Sequence, residues 1–126
     1  MKFHASEVQI TSSGGEDFQV HLSESKAEHC PYVLLQNSFE FFRGPAYFEC
    51  HNLDLAGHGV VKRCELQRAS LEIDVTDSNE QITVTFNEPD EKIGNLAWML
   101  GIVFAGYVSF VNSSGVPEKP MEDPDF

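Results

Sequence analysis

Positive charge is scarce in this sequence. Eight Lys and Arg stand against twenty Asp and Glu, for a formal net charge of -12 over 126 residues. Such a chain repels a phosphate backbone, which makes nucleic acid a poor candidate partner. Anionic membrane surfaces are disfavoured on the same ground. Long apolar runs are missing as well. A membrane span needs about 20 apolar residues, and the best stretch, Ile93 to Val111, is interrupted by Asn95 and by Gly and Ser positions. The segment from Met1 to Glu7 leads into no apolar run of signal-peptide length. Cysteine is sparse and odd in number: Cys30, Cys50 and Cys64 form no compact disulfide framework. Reduced thiols in a soluble cytoplasmic protein are the expectation.

What is present suffices for one folded domain. A chain of this length buries roughly two-thirds of the surface its unfolded form exposes, and ten Phe supply large core side chains. Up to Pro89 the hydrophobic pattern has mostly period two. Phe3 to Ile10 reads as a first strand, and Thr11 to Glu16 as a turn cluster. Phe18, Val20 and Leu22 alternate with Gln19 and His21 in a half-buried strand. Tyr32 to Gln36 is apolar on both faces and reads as a central strand covered by a helix on one side. Tyr47 to His51 is a further strand, and Gly57-His58-Gly59 a turn or bulge. Val60 to Gln67 and Leu71 to Val75 form a hairpin across Arg68 to Ser70. Asp77-Ser78-Asn79 turns the chain into Ile82, Val84 and Phe86, which alternate with Thr83 and Thr85.

After Pro89 the period becomes helical. Asp90 and Glu91 suit the positive end of a helix dipole, and Ile93, Leu96, Ala97, Leu100 and Phe104 share one face. Trp98, Met99, Ile102 and Val103 make the other sides apolar too. Gly94 and Gly101 are costly in a helix interior, and close packing on the sheet is one reason to keep them. Gly106 is a plausible stop, and Tyr107 to Val111 a short last strand. The fold expected is α+β: an antiparallel meander sheet of about 6-7 strands covered by one C-terminal helix. Residues 1-112 form the domain, and 113-126, rich in Pro and acid, a disordered tail.

No residue pattern points to catalysis. His29-Cys30 and Cys50-His51 hold zinc-ligand types, but adjacent residues on a strand face opposite ways, so at most one of each pair could meet a shared metal. No nucleophile elbow surrounds a Cys, and Gly57-His58-Gly59 lacks the Lys-Ser or Lys-Thr of a phosphate loop. No cofactor or metal is expected. The acidic residues carry more information. Residues 72 to 91 hold Glu72, Asp74, Asp77, Glu80, Glu88, Asp90 and Glu91 with no Lys or Arg. Glu72 and Asp74 leave one strand on the same face, a candidate docking surface for a basic protein.

Five stretches follow one another in a recognisable order. They are Tyr32-Val33-Leu34-Leu35-Gln36, Tyr47-Phe48-Glu49, Gly57-His58-Gly59-Val60-Val61, Cys64-Glu65-Leu66 with Ser70-Leu71-Glu72-Ile73, and Leu96 to Phe104. This order resembles the tenth immunity-protein family of bacterial polymorphic toxin systems: a Leu-Gln strand, a Tyr-x-Glu strand, a Gly-Gly turn, two strands and a short helix. The resemblance spans residues 32 to 104, with Asn37 where an Arg or Lys is usual in the family. It implies a cytoplasmic protein that neutralises a cognate toxin domain by covering it, without catalysis. Glu49 and His58, with Glu72, Asp74, Asp77 and Glu80, are the expected partner-binding residues. The alternative expectation is a module that binds a small apolar ligand in a pocket between helix and sheet. An enzyme using Cys50 or His58 is a third.

Overall fold

The computed structural model describes residues 1-13, 16-38, 44-76, 81-105 and 109-121. Alternation of buried and exposed side chains builds its strands. In β1 (Lys2–His4) Phe3 alone turns inward. In β2 (Glu7–Ser13) Val8 and Ile10 do so, and in β3 (Asp17–Ser23) Phe18, Val20 and Leu22. β4 (Tyr32–Ser38) buries Val33, Leu35 and Asn37, and β5 (Tyr47–Cys50) buries Phe48 and Cys50. A single 3-10 turn, Leu53–Leu55, leads to the two-residue β6 (Gly57–His58). β7 (Val61–Leu66), β8 (Ser70–Val75), β9 (Gln81–Thr85) and β10 (Ser109–Asn112) complete the strands, with helix α1 (Asp90–Val103) between the last two.

The α+β class and the single covering helix are as expected, but the strands number ten among the described residues and lie in two sheets of five. The second sheet, β2-β3-β4-β5-β6, is an antiparallel meander in chain order, with β4 at its centre. The first sheet runs β1-β9-β8-β7-β10 and is mixed, because β1 lies parallel to β9 and β10 parallel to β7. The expected strand from Phe3 to Ile10 is therefore two strands. They part at Ala5 and Ser6, and each joins a different sheet. At the start of β7 a bulge between Val61 and Arg63 breaks the alternation. It lets Val61 face the core together with Cys64 and Leu66 while Lys62 stays exposed.

The inner faces of both sheets and the buried side of α1 belong to one core. Helix α1 packs on β2, β3, β4 and β10. Ile93, Leu96, Met99, Leu100 and Val103 are wholly buried, which accounts for its apolar residues on more than one side. Pro89 caps the helix without a side-chain bond, and Asp90 and Glu91 occupy its first turn, where carboxylates complement the dipole. Asn37 and Ser38, at the end of β4, are buried polar residues. Asn37 donates to the Val103 carbonyl at 2.9 Å and to Gly44 at 3.1 Å, tying β4 to the C-terminal end of the helix.

Residues 113-121, expected as the start of a disordered tail, lie along the sheet edge and the helix. The Ser113 amide donates to the Leu66 carbonyl at 2.8 Å, and the Lys119 amide to the Gly94 carbonyl at 2.9 Å. Asn95 donates to the Lys119 carbonyl, and the Lys119 ammonium reaches Glu91 at 3.2 Å. Gly94 makes this approach possible, since a Cβ there would stand 3.0 Å from the Pro117 carbonyl oxygen and 3.1 Å from Lys119 Cβ. The close packing is against this segment, not against a sheet. Gly101 is exposed, with nothing within 4 Å of a would-be Cβ, so packing does not explain it. The expected turn at Asp77 to Asn79 and the expected stop at Gly106 fall outside the described residues.

The two glycines are expected to respond oppositely to alanine. Gly101→Ala should stabilise the protein by about 1 kcal/mol through helix propensity alone. Gly94→Ala forces residues 117-119 away and should destabilise by about 1 kcal/mol or more despite the same propensity gain. Urea unfolding of the two variants distinguishes the cases.

Candidate functional site

The outer face of the second sheet carries the side chains that alternate with its core residues. Tyr47 and Glu49 are two apart on β5 and so project from the same face. The β4–β5 register pairs Val33 with Cys50 and Leu34 with Glu49, which brings Tyr32 alongside. The Glu49 carboxylate then accepts two phenol hydrogen bonds. Tyr32 donates to Oε2 at 2.5 Å, and Tyr47 donates to Oε1 at 2.7 Å.

Three histidines frame this group. The His21 ring stacks on Tyr32 with centroids 5.8 Å apart and planes 30° apart. His58 lies against Tyr47 at 5.1 Å. His51 accepts the Tyr32 backbone N–H at Nδ1, 3.3 Å away, and its ring also meets Phe3 edge-on at 6.1 Å. The hydrogen bond from Tyr32, then that from Tyr47, hold the Glu49 carboxyl below the usual carboxylate range; partial burial opposes this and His21 assists it. Burial first, and then Glu49, raise the Tyr32 phenol; the hydrogen bond to Glu49 does the same for Tyr47. The cluster is thus a carboxylate held by two protonated phenols.

Two hollows flank Tyr32. One, of about 300 Å³, lies toward β3 and β2 and is lined by Glu7, Gln9, His21 and Lys26 among others. The other, of about 270 Å³, is lined by His29, Cys30, His51 and Leu53 as well as Tyr32. Leu53 is the most exposed large apolar side chain among the described residues, at 64%. A third hollow lies between α1 and the segment at Lys119 to Met121.

The expected partner-binding residues do not form one surface. Glu49 and His58 share the outer face of the second sheet, joined through Tyr47. Glu72 and Asp74 are half-buried on the outer face of the first sheet, where Arg63 lies opposite Asp74 and Glu65 opposite Glu72. The Arg63 guanidinium is 2.9 Å from Glu65 and also feels Asp74 and Glu72, so that face is partly neutralised. Asp77 and Glu80 lie outside the described residues. The sequence reading missed Tyr32, Tyr47, His21 and His51. The Tyr-x-Glu spacing on one strand face was the available signal for Tyr47.

The cysteines are placed differently from one another. Cys50 and Cys64 are buried, and burial pushes the Cys64 thiol well up. Cys50 donates to the Asn52 carbonyl, and the half-buried Cys30 to the Ser25 carbonyl. Among the described residues no three His, Cys, Asp or Glu side chains come together as metal ligands. No helix among them is long and apolar enough to cross a membrane.

Glu49→Gln keeps one acceptor and loses the charge. Because the folded carboxyl titrates below its unfolded value, it contributes stability that is complete above the unfolded value of roughly 4.3 and is lost as the pH falls through the lowered folded one. Wild type is expected to exceed the variant in urea unfolding at neutral pH, and the gap to close in acid. A gap of constant size down to strongly acidic solution would show that charge is not what the phenols hold. No protein-family model matches the chain, and no curated protein or solved structure does so either.

Proposed function

We propose that this protein acts by binding, as a cytoplasmic immunity protein that covers a basic toxin domain with the outer face of its second sheet. The observation that carries the reading is the half-buried Glu49 carboxylate held on the outer sheet face by Tyr32 and Tyr47. Tyrosines are enriched at protein interfaces, and side chains fixed before contact lose little freedom on binding. The formal charge of -12 steers a basic partner toward such a face and raises the rate of encounter. The burial of Cys50 and Cys64 favours binding over thiol chemistry. The order of motifs from Tyr32 to Phe104 supports the immunity class.

Of the two acidic faces, that of the second sheet is the better contact surface. Glu72 and Asp74 share theirs with Arg63, and they act at longer range. The test uses the product of the neighbouring gene, which on this reading carries a toxin domain. Tyr32→Ala and Glu49→Ala should each cost about 2 kcal/mol or more, a roughly 30-fold weaker Kd by calorimetry, and abolish protection of cells. Reversing Glu72 and Asp74 to Lys should slow association and flatten its salt dependence while dissociation holds. Unchanged affinity in both single variants would overturn the docking face. A neighbouring toxin that this protein neither binds nor restrains would overturn the immunity reading.

A further inference from the structure

The hollow of about 300 Å³ beside Tyr32 has walls of contrasting chemistry. The loop from β3 to β4 closes it on one side and is tied to itself and to the start of β2. Glu24 N–H donates to the Pro31 carbonyl, Ala27 N–H to the Ser25 hydroxyl, and the Ser6 hydroxyl to the Glu24 carbonyl. Glu7 supplies a carboxylate, its side chain 32% exposed. Its cation is Lys26, 3.9 Å away on a side chain 83% exposed, an ion pair of the loosest kind. The Tyr32 ring also lines the hollow, stacked with His21, which lines it too, and held at its hydroxyl by Glu49. Gln9 and Ser23 add further hydrogen-bonding groups to the lining.

Few ligands suit all of these walls. An anion would find Lys26, His21 and His29 in the lining but also Glu7, and would enter a protein that already carries a charge of -12. An apolar group would strip water from Glu7, Gln9 and Ser23 and give nothing back. An ammonium would satisfy Glu7 and be attracted to the ring, but as a compact point charge it has no plane to stack and no fork to pair with the carboxylate. A guanidinium does both, since it pairs with a carboxylate through a planar fork and stacks on aromatic faces. We propose that this hollow is a socket for one arginine side chain of the basic partner, paired with Glu7 in place of Lys26 and laid against Tyr32 and His21. The proposal rests on the protein-binding reading above and names the residue type that reading requires of the partner.

Capped arginine (the N-acetyl amide) is the probe, with capped lysine and capped citrulline as controls, followed by amide chemical shifts of the labelled protein. Arginine should shift the amides of Glu7, His21 and Tyr32 saturably, lysine should bind about fivefold more weakly, and uncharged citrulline should leave them unmoved. Glu7→Gln should weaken arginine binding about tenfold. Lys26→Ala should strengthen it about twofold by removing the competing cation, a gain that misfolding cannot imitate. Equal binding of lysine, or shifts indifferent to Glu7→Gln, would overturn the socket whatever the partner does. If arginine binds but Glu7→Gln leaves the Kd for the partner unchanged, its part in docking is overturned, while the face tested through Glu49 stands on its own variants.

Discussion

A strand buries one face by keeping the side chains there apolar or hydrogen-bonded, with Ser12 Oγ the one buried side-chain oxygen left without a partner among the described residues, and that pattern decides which residues stand on the other face. In the second sheet the buried set is Val8, Ile10, Phe18, Val20, Leu22, Val33, Leu35, Phe48 and Cys50. Each large member is worth roughly 1.5–3 kcal/mol when buried. Slipping any strand by one residue would exchange that set for Gln, His and Glu. Asn37 is a polar member of the inner face, and it is tolerated because both of its amide protons find carbonyls, one of them at the end of the helix. Core burial therefore sets the register, and the register sets Tyr32 beside Glu49.

The outer cluster is stable in its position for a different reason. A lone carboxylate on a sheet face would be free to rotate in water. Here each oxygen is engaged by a separate phenol, and the two phenols come from neighbouring strands. The result fixes three side chains at once, including the ring that walls two hollows. The face of the first sheet has no such arrangement. Its carboxylates surround Arg63 and spend their field on it.

Much of this fold was legible in the residues. The alternation in β3, β8 and β9 and the helical period after Pro89 predicted those elements, because burial on one side leaves a period that needs no tertiary knowledge. The division into two sheets was not legible. Phe3 to Ile10 keeps its character through Ala5 and Ser6, and only the pairing partners reveal that β1 and β2 belong to different sheets. Parallel edges have no hairpin turn to announce them. Residues 113-121 read as the start of a tail because the stretch from Pro117 to Phe126 holds three Pro and four acidic residues, whereas Gly94 leaves room for the backbone of residues 117-119 against the helix. At the site, Tyr47 and Glu49 could be joined by spacing alone. Tyr32, His21 and His51 could not, since their proximity depends on registers between strands up to 19 residues apart.

The two sheets also differ in how far along the chain their partners lie. Every pairing in the second sheet joins strands consecutive in sequence, so the candidate surface is encoded wholly between Glu7 and His58. The first sheet must bring Met1 to Gln81, 80 residues away, and seat β10 beside β7. Closing a long loop costs more chain entropy than closing a hairpin. The candidate face is thus the part of the molecule whose strand pairing waits least on distant segments.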